Sequence, residues 1–242
     1  MKIKHFLLGF LMLVSFAATA QEDENQRTIF GPKDGSKADC GFECTVYGGV
    51  SQLKDMCAGE FSFDFGAIRN HNFVFGGFIE GLGTEEFSDP VLGNEKFGFL
   101  SCAGGIYFKP IFMSSSPVHF SLPIKIGGGS VEYTNGVWSG DYYDGYDHNY
   151  YHYNDRYYRE DHSGFFLFQP GLNIDFNLFK HFHISAGVSY RMMVGMNLDY
   201  RNSRMYNDDY YHDALFTNDK EIISTDGLNG LTYTLGLTFG MF

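Results

Sequence analysis

The most regular stretch of the chain is its end. Leu231, Tyr233, Leu235, Leu237, Phe239 and Met241 take alternate positions, and Gly230, Thr232, Thr234, Gly236, Thr238 and Gly240 fall between them. A period of two sends successive side chains to opposite faces of a strand, so one face is oily and the other small and polar. Four internal segments repeat the pattern. Phe61, Phe63 and Phe65 alternate with Glu60, Ser62, Asp64 and Gly66. Val118, Phe120, Leu122, Ile124 and Ile126 oppose His119, Ser121, Lys125 and Gly127. Phe166, Phe168, Leu172, Ile174 and Phe176 oppose Gln169, Gly171, Asn173, Asp175 and Asn177. Over 181–198, Phe182, Ile184, Ala186, Val188, Tyr190, Met192, Val194, Met196 and Leu198 oppose His183, Ser185, Gly187, Ser189, Arg191, Gly195 and Asn197.

Three further segments, 46–54, 72–83 and 97–108, are glycine-rich and aromatic but alternate less cleanly. Counting them gives eight strands, the smallest usual number for a barrel that crosses a membrane. The connections sort into two kinds that alternate along the chain. Those at 69–71, 109–116 and 178–180 are short or modest; those at 84–96, 134–163 and 200–226 are long. Only the first hairpin, near Asp55 to Gly59, is a short link on the long side. Short inner turns and long outer loops are the habit of outer-membrane barrels. The expected fold is therefore all-β, an eight-stranded up-and-down antiparallel transmembrane β-barrel over residues 45–242, with its oily face toward lipid. A soluble calycin-like barrel would bury the oily face and set polar residues outside. The polar face here is dominated by Gly, Ser and Thr rather than by Lys and Glu.

The front of the chain reads as a secretory signal peptide over 1–20. Lys2 and Lys4 precede an apolar run from Phe6 to Phe16, and Ala18-Thr19-Ala20 forms a small-residue cleavage site. Residues 21–44 are polar and read as a periplasmic lead-in. Apart from the leader, no run of about 18 apolar residues exists to form a membrane helix. The formal charge of −12 becomes more negative once Lys2 and Lys4 are lost, which argues against nucleic acid as a partner. Export permits disulfides, and Cys40, Cys44, Cys57 and Cys102 allow three pairings that sequence does not choose among. Cys40 and Cys44 are the candidate local pair. Their spacings do not make the paired knuckles of a zinc site.

Some short motifs are familiar. Tyr47-Gly-Gly, Asn70-His-Asn-Phe73 with Gly76-Gly77, His119-Phe-Ser-Leu-Pro-Ile124, Gln169-Pro-Gly-Leu-Asn173, Ser189-Tyr-Arg191 and Phe239-Gly-Met-Phe242 resemble a family of small exported barrels from Bacteroidota. The resemblance covers 46–133 and 164–242 and none of the long outer loops. It implies an outer-membrane location in a Gram-negative cell and says little about activity. The aromatic ending, with Phe239 and Phe242, also resembles the signal by which barrel-assembly machinery recognises outer-membrane proteins. Strict alternation puts Met241 rather than Phe242 on the oily face, so a bulge near Gly240 is expected.

Two groups of residues are candidates for function. Glu60, Asp64, Glu80, Lys125, Asp175 and Arg191 fall on the inward face and should pair inside the barrel, because an isolated buried charge is costly. A narrow gated pore is the rival to that ion-paired plug. The outer loops carry Tyr142, Tyr143, Tyr146, Tyr150, Tyr151, Tyr153, Tyr157, Tyr158, Tyr210 and Tyr211. Tyrosine offers a stacking face and a hydroxyl at small entropic cost, which suits recognition of an extracellular protein or glycan. The bland alternative is a loop that packs on itself and caps the barrel. His119/Ser121 and His183/Ser185 raise a lipid-modifying hydrolase, since a histidine beside a serine can activate it as a nucleophile. Residues two apart share a strand face by default, so the pattern carries little weight. Asp144, Asp147, His148, His152 and Asp155 have metal-ligand chemistry but match no loop of defined geometry. The expectation is a non-enzymatic barrel without cofactor or metal, structural or displayed for recognition, with outer-membrane lipid as its surroundings.

Overall fold

The computed structural model describes residues 40–53, 56–69, 72–89, 95–134, 161–179, 181–199, 221–224 and 226–241. The signal peptide, most of the lead-in, Phe242 and all the singled-out loop tyrosines lie outside them. Among the described residues twelve strands are present: β1 (Cys40–Leu53), β2 (Cys57–Arg69), β3 (Phe73–Thr84), β4 (Phe87–Asp89), β5 (Glu95–Phe112), β6 (Val118–Ser121), β7 (Ile124–Thr134), β8 (Asp161–Phe179), β9 (Phe182–Val194), β10 (Leu198–Asp199), β11 (Glu221–Ile223) and β12 (Gly230–Met241). β6 and β7 run on as one strand, both paired with β5 and β8. Pro123 between them has no N–H to give, but its carbonyl accepts from Gly171 N at 2.7 Å, and Leu122 N donates to Pro110 O at 3.0 Å.

With β6 and β7 counted together, eight antiparallel strands close a ring in the order β1, β2, β3, β5, β6/β7, β8, β9, β12. Closure is made by β1 against β12, from Phe42 opposite Met241 to Leu53 opposite Gly230. That seam pairs the first strand with the last, which leaves the ring no free edge. β1 begins at Cys40, so the barrel starts five residues earlier than the sequence pattern indicates. The links after β2, β5 and β8 lie at one end of the ring, together with the start of β1 and the end of β12; the long connections lie at the other.

The alternation sorts as the sequence requires. In β2 exposed and buried residues alternate along the whole strand, with Phe61, Phe63 and Phe65 outside and Glu60, Ser62 and Asp64 inside. In β12, Leu235 is 68% exposed and Thr232 is fully buried. Each large apolar side chain left outside forgoes about 1.5–3 kcal/mol of burial in water. A continuous band of them, running through Val50, Phe75, Ile79, Ile106 and Leu172, calls for an apolar surrounding.

Four expectations about individual positions are corrected. Among the described residues no bulge forms near Gly240: β1 and β12 stay in register through Phe239, Gly240 and Met241, opposite Cys44, Glu43 and Phe42. Ile124 keeps its outward parity but is buried, because Phe108 and Pro170 flank it on the neighbouring strands. Met196 and Leu198 are buried within the core rather than continuing the outward row of β9. The cause is Gly195, whose φ of 88° ends the strand and turns the chain inward. Cys40 and Cys44 are not paired; all four cysteines are free. Both lie on β1, where four residues of extended chain separate Cα atoms by roughly 13 Å, about twice the reach of a disulfide.

β5 and β8 are 18 and 19 residues long, well beyond the ~9–11 that a tilted strand needs to cross a bilayer. Toward their loop ends the outward face changes character, to Lys96, Ser130, Glu132 and His162 on β5, β7 and β8. The inward face there turns apolar instead. Phe97, Phe99, Val131, Tyr133, Leu167 and Met193 pack into a core with Leu53, Leu82 and Leu228. Phe97 and Tyr133 stack at 4.9 Å between centroids, and Tyr133 donates from its hydroxyl to Asp89 on β4 at 2.5 Å. This aromatic cap closes the loop end of the described barrel.

Candidate functional site: an ion-paired lumen

Below the cap, at mid-height, the polar row of each strand meets those from across the ring. Arg191 on β9 is fully buried, with one guanidinium nitrogen 2.8 Å from Glu60 on β2 and 2.9 Å from Glu80 on β3. Lys125 on β7 lies 2.9 Å from Asp64 and 3.6 Å from Glu80. Its ammonium also donates to Ser62 Oγ at 2.6 Å and sits over the rings of Tyr47 and Phe78. Ser62 in turn donates to Asp64 at 2.7 Å, Ser51 to Glu60 at 3.0 Å, and the Gln169 amide to Glu60 at 3.4 Å and Ser189 at 2.9 Å. Attractions of this kind gain strength in the lumen, which screens charge far less than water does.

Five of the six inward charges singled out from the sequence, Glu60, Asp64, Glu80, Lys125 and Arg191, thus share one network. Asp175 does not join it. It lies nearer the short-turn end, where Ser121 and Ser185 both donate to it and His119 Nε2 is 3.7 Å away. Beside it is an ion pair that sequence reasoning misses, Glu43 with Lys109, at 2.5 Å. Tyr107 also donates to Glu43. Glu43 falls in the stretch that reads as a lead-in and Lys109 in one that reads as a turn, so parity is not applied to either. The signal that finds Glu43 is its spacing from Thr45 and Tyr47, all inward on β1.

Side chains this large fit because glycines face them. Gly236 on β12 points into the lumen, and a Cβ there would stand 2.5 Å from the Tyr47 ring. Its absence lets Tyr47 reach the amide of Asn173, which donates to its hydroxyl at 3.2 Å.

The two His-x-Ser pairs do come together, yet not as a nucleophile with its base. Both hydroxyls donate to Asp175 rather than to an imidazole, and the rings of His119 and His183 meet edge to face at 6.1 Å. The group is buried inside the ring, away from its apolar outer face. No group of three or more His, Cys, Asp or Glu suited to a metal occurs among the described residues.

A closed antiparallel ring that is apolar outside, and polar and ion-paired inside, defines an eight-stranded β-barrel of the inside-out kind. No protein-family model matches the chain, and no curated protein matches it by sequence. Among solved structures it is similar to Neisserial surface protein A, at 8% identity and a TM-score of 0.47 over 84% of this chain and 97% of that one. The Yersinia pestis attachment invasion locus protein Ail, in complex with the heparin analogue sucrose octasulfate, aligns at 11% identity and a TM-score of 0.43, over 84% and 97%. The N-terminal β-barrel domain of Pseudomonas aeruginosa OprF aligns at 8% identity and a TM-score of 0.37, over 83% and 97%.

Proposed function

We propose that the chain is a bacterial outer-membrane barrel, of the small exported kind found in Bacteroidota, that displays its long loops for recognition and catalyses no reaction. The observation that carries the reading is the contrast between the two faces of the ring. The outward face is a band of large apolar side chains that only lipid satisfies, and the inward face is consumed by its own ion pairs. A lumen filled with its own side chains leaves the loops as the part free to meet a partner.

The orientation follows from chain economy. The short-turn end faces the periplasm, and the long connections 84–96, 134–163 and 200–226 face outward. The last strand, through Phe239 and Phe242, is read by the assembly machinery. The tyrosines of 142–158 and 210–211 supply the contact surface for an extracellular protein or glycan. Deleting 139–162 tests the reading. Loss of binding to host proteins, glycans or whole cells, with the barrel still folded, is expected; unchanged binding sinks the recognition role.

A further inference from the structure

The mid-height network does not balance. Glu60, Asp64 and Glu80 bring three carboxylates, and Lys125 and Arg191 bring two cations. All five are buried. One negative charge is therefore left over in a region where an uncompensated charge is expensive.

Four acceptors of this network receive no hydrogen bond. Both oxygens of Glu80 are held by ion pairs alone and lie outside the cavity that Asp64 and Gln169 line. The other two, Asp64 Oδ2 and Gln169 Oε1, are bare although Asp64 is only 1% exposed and Gln169 3%. The orientation of the Gln169 amide is determined by its neighbours. Its nitrogen faces the Glu60 carboxylate, where an oxygen would be repelled, so the oxygen is the atom left without a partner. Both residues line one cavity of about 30 Å³, together with Tyr47, Glu60, Lys125 and Asn173. The space suits one or two atoms of water's size.

We propose that this cavity binds a single monovalent alkali cation, held between Asp64 Oδ2 and Gln169 Oε1. Hard cations take oxygen ligands, and carboxylate and amide oxygens are what the cavity wall offers. One positive charge cancels the surplus carboxylate. A divalent ion would overshoot it, against an ammonium already 2.9 Å from Asp64. A neutral water alone would satisfy both acceptors but leave the charge in place, and a proton on Glu80 alone would cancel the charge but leave both acceptors bare. Only the two together match what one cation does, and dependence on the salt cation separates them.

The test uses the full-length folded barrel in detergent micelles. Unfolding midpoints are compared in sodium chloride and in N-methylglucamine chloride at equal ionic strength, and crystals are soaked in thallous ion for anomalous scattering. A higher midpoint in sodium and a thallium peak between Asp64 and Gln169 are expected. Asp64→Asn should abolish the sodium-dependent shift, and Gln169→Glu, which adds a charge of the same shape, should enlarge it. Equal midpoints in the two salts with no thallium peak would mean that water and a proton together do the work, and would overturn the proposal. If Asp64→Asn fails to fold, the wild-type protein and Gln169→Glu decide the matter by the same two readouts.

Discussion

Arg191 and Glu60 meet at 2.8 Å in the middle of the barrel, the guanidinium fully shielded and the carboxylate nearly so. They come from β9 and β2, two strands with β1 and β12 between them, so the contact crosses the lumen rather than running along its wall. The same guanidinium nitrogen reaches Glu80 on a third strand. The pair is thus both a filling and a tie.

Replacing Arg191 by Met should be severe, because it takes from buried Glu60 its close cation and leaves Glu80 only the longer contact to Lys125 at 3.6 Å. Breaking one side of a buried pair costs about 3–5 kcal/mol, whereas removing both sides together costs far less. Urea titration of the folded barrel in lipid vesicles should show the full loss for Arg191→Met and partial recovery for Arg191→Met with Glu60→Gln. A double variant no more stable than the single one would mean that the tie is not what the geometry suggests.

The filled lumen carries a second expectation. Purified protein in a planar bilayer should give no steady conductance, since Lys125, Arg191 and their partners occupy the passage and the aromatic residues around Tyr133 close the loop end. Steady openings of a single size would show instead that the network swings aside.

Leu235 separates a membrane barrel from a soluble one. It stands 68% exposed near the middle of β12. An arginine on a lipid-facing position at the bilayer midplane costs about 2–4 kcal/mol, and on a water-facing surface it costs almost nothing. Leu235→Arg should therefore reduce the folded fraction in vesicles, read by the heat-dependent shift of its electrophoretic mobility. An unchanged folded fraction would place this face in water.

Gly236→Ala, one residue further on and facing inward, probes the packing behind the polar network. The new methyl would meet the Tyr47 ring at 2.5 Å, and the ring has Lys125 beside it. Overpacking of this kind costs about 1–3 kcal/mol. If the clash with the ring dominates, the loss should shrink with Tyr47→Leu, which removes the ring atoms the methyl meets, and persist with Tyr47→Phe, which keeps them and drops only the Asn173 hydrogen bond.

Much of this molecule is legible in one dimension. The alternation in 60–67, 165–177 and 230–241 assigns a face to each residue without reference to any other strand, because a strand's side chains have a period of two whatever they pack against. Loop lengths then separate the two ends. Parity of this kind is enough to put Glu60, Asp64, Glu80, Lys125 and Arg191 on the inner wall.

Tertiary structure decided which inward residues meet and where the pattern stops. Asp175 shares the parity of Gln169 yet sits in a separate cluster, since height along a tilted strand depends on the register of its neighbours. Glu43 and Lys109 pair across the ring although they are far apart in sequence, on β1 and β5, a contact that no local period encodes. Gly195 breaks the outward row of β9 through its backbone conformation, which sends Met196 and Leu198 into the cap. Alternation is a local property of extended backbone; partnership and closure depend on the ring, and only the closed ring supplies them.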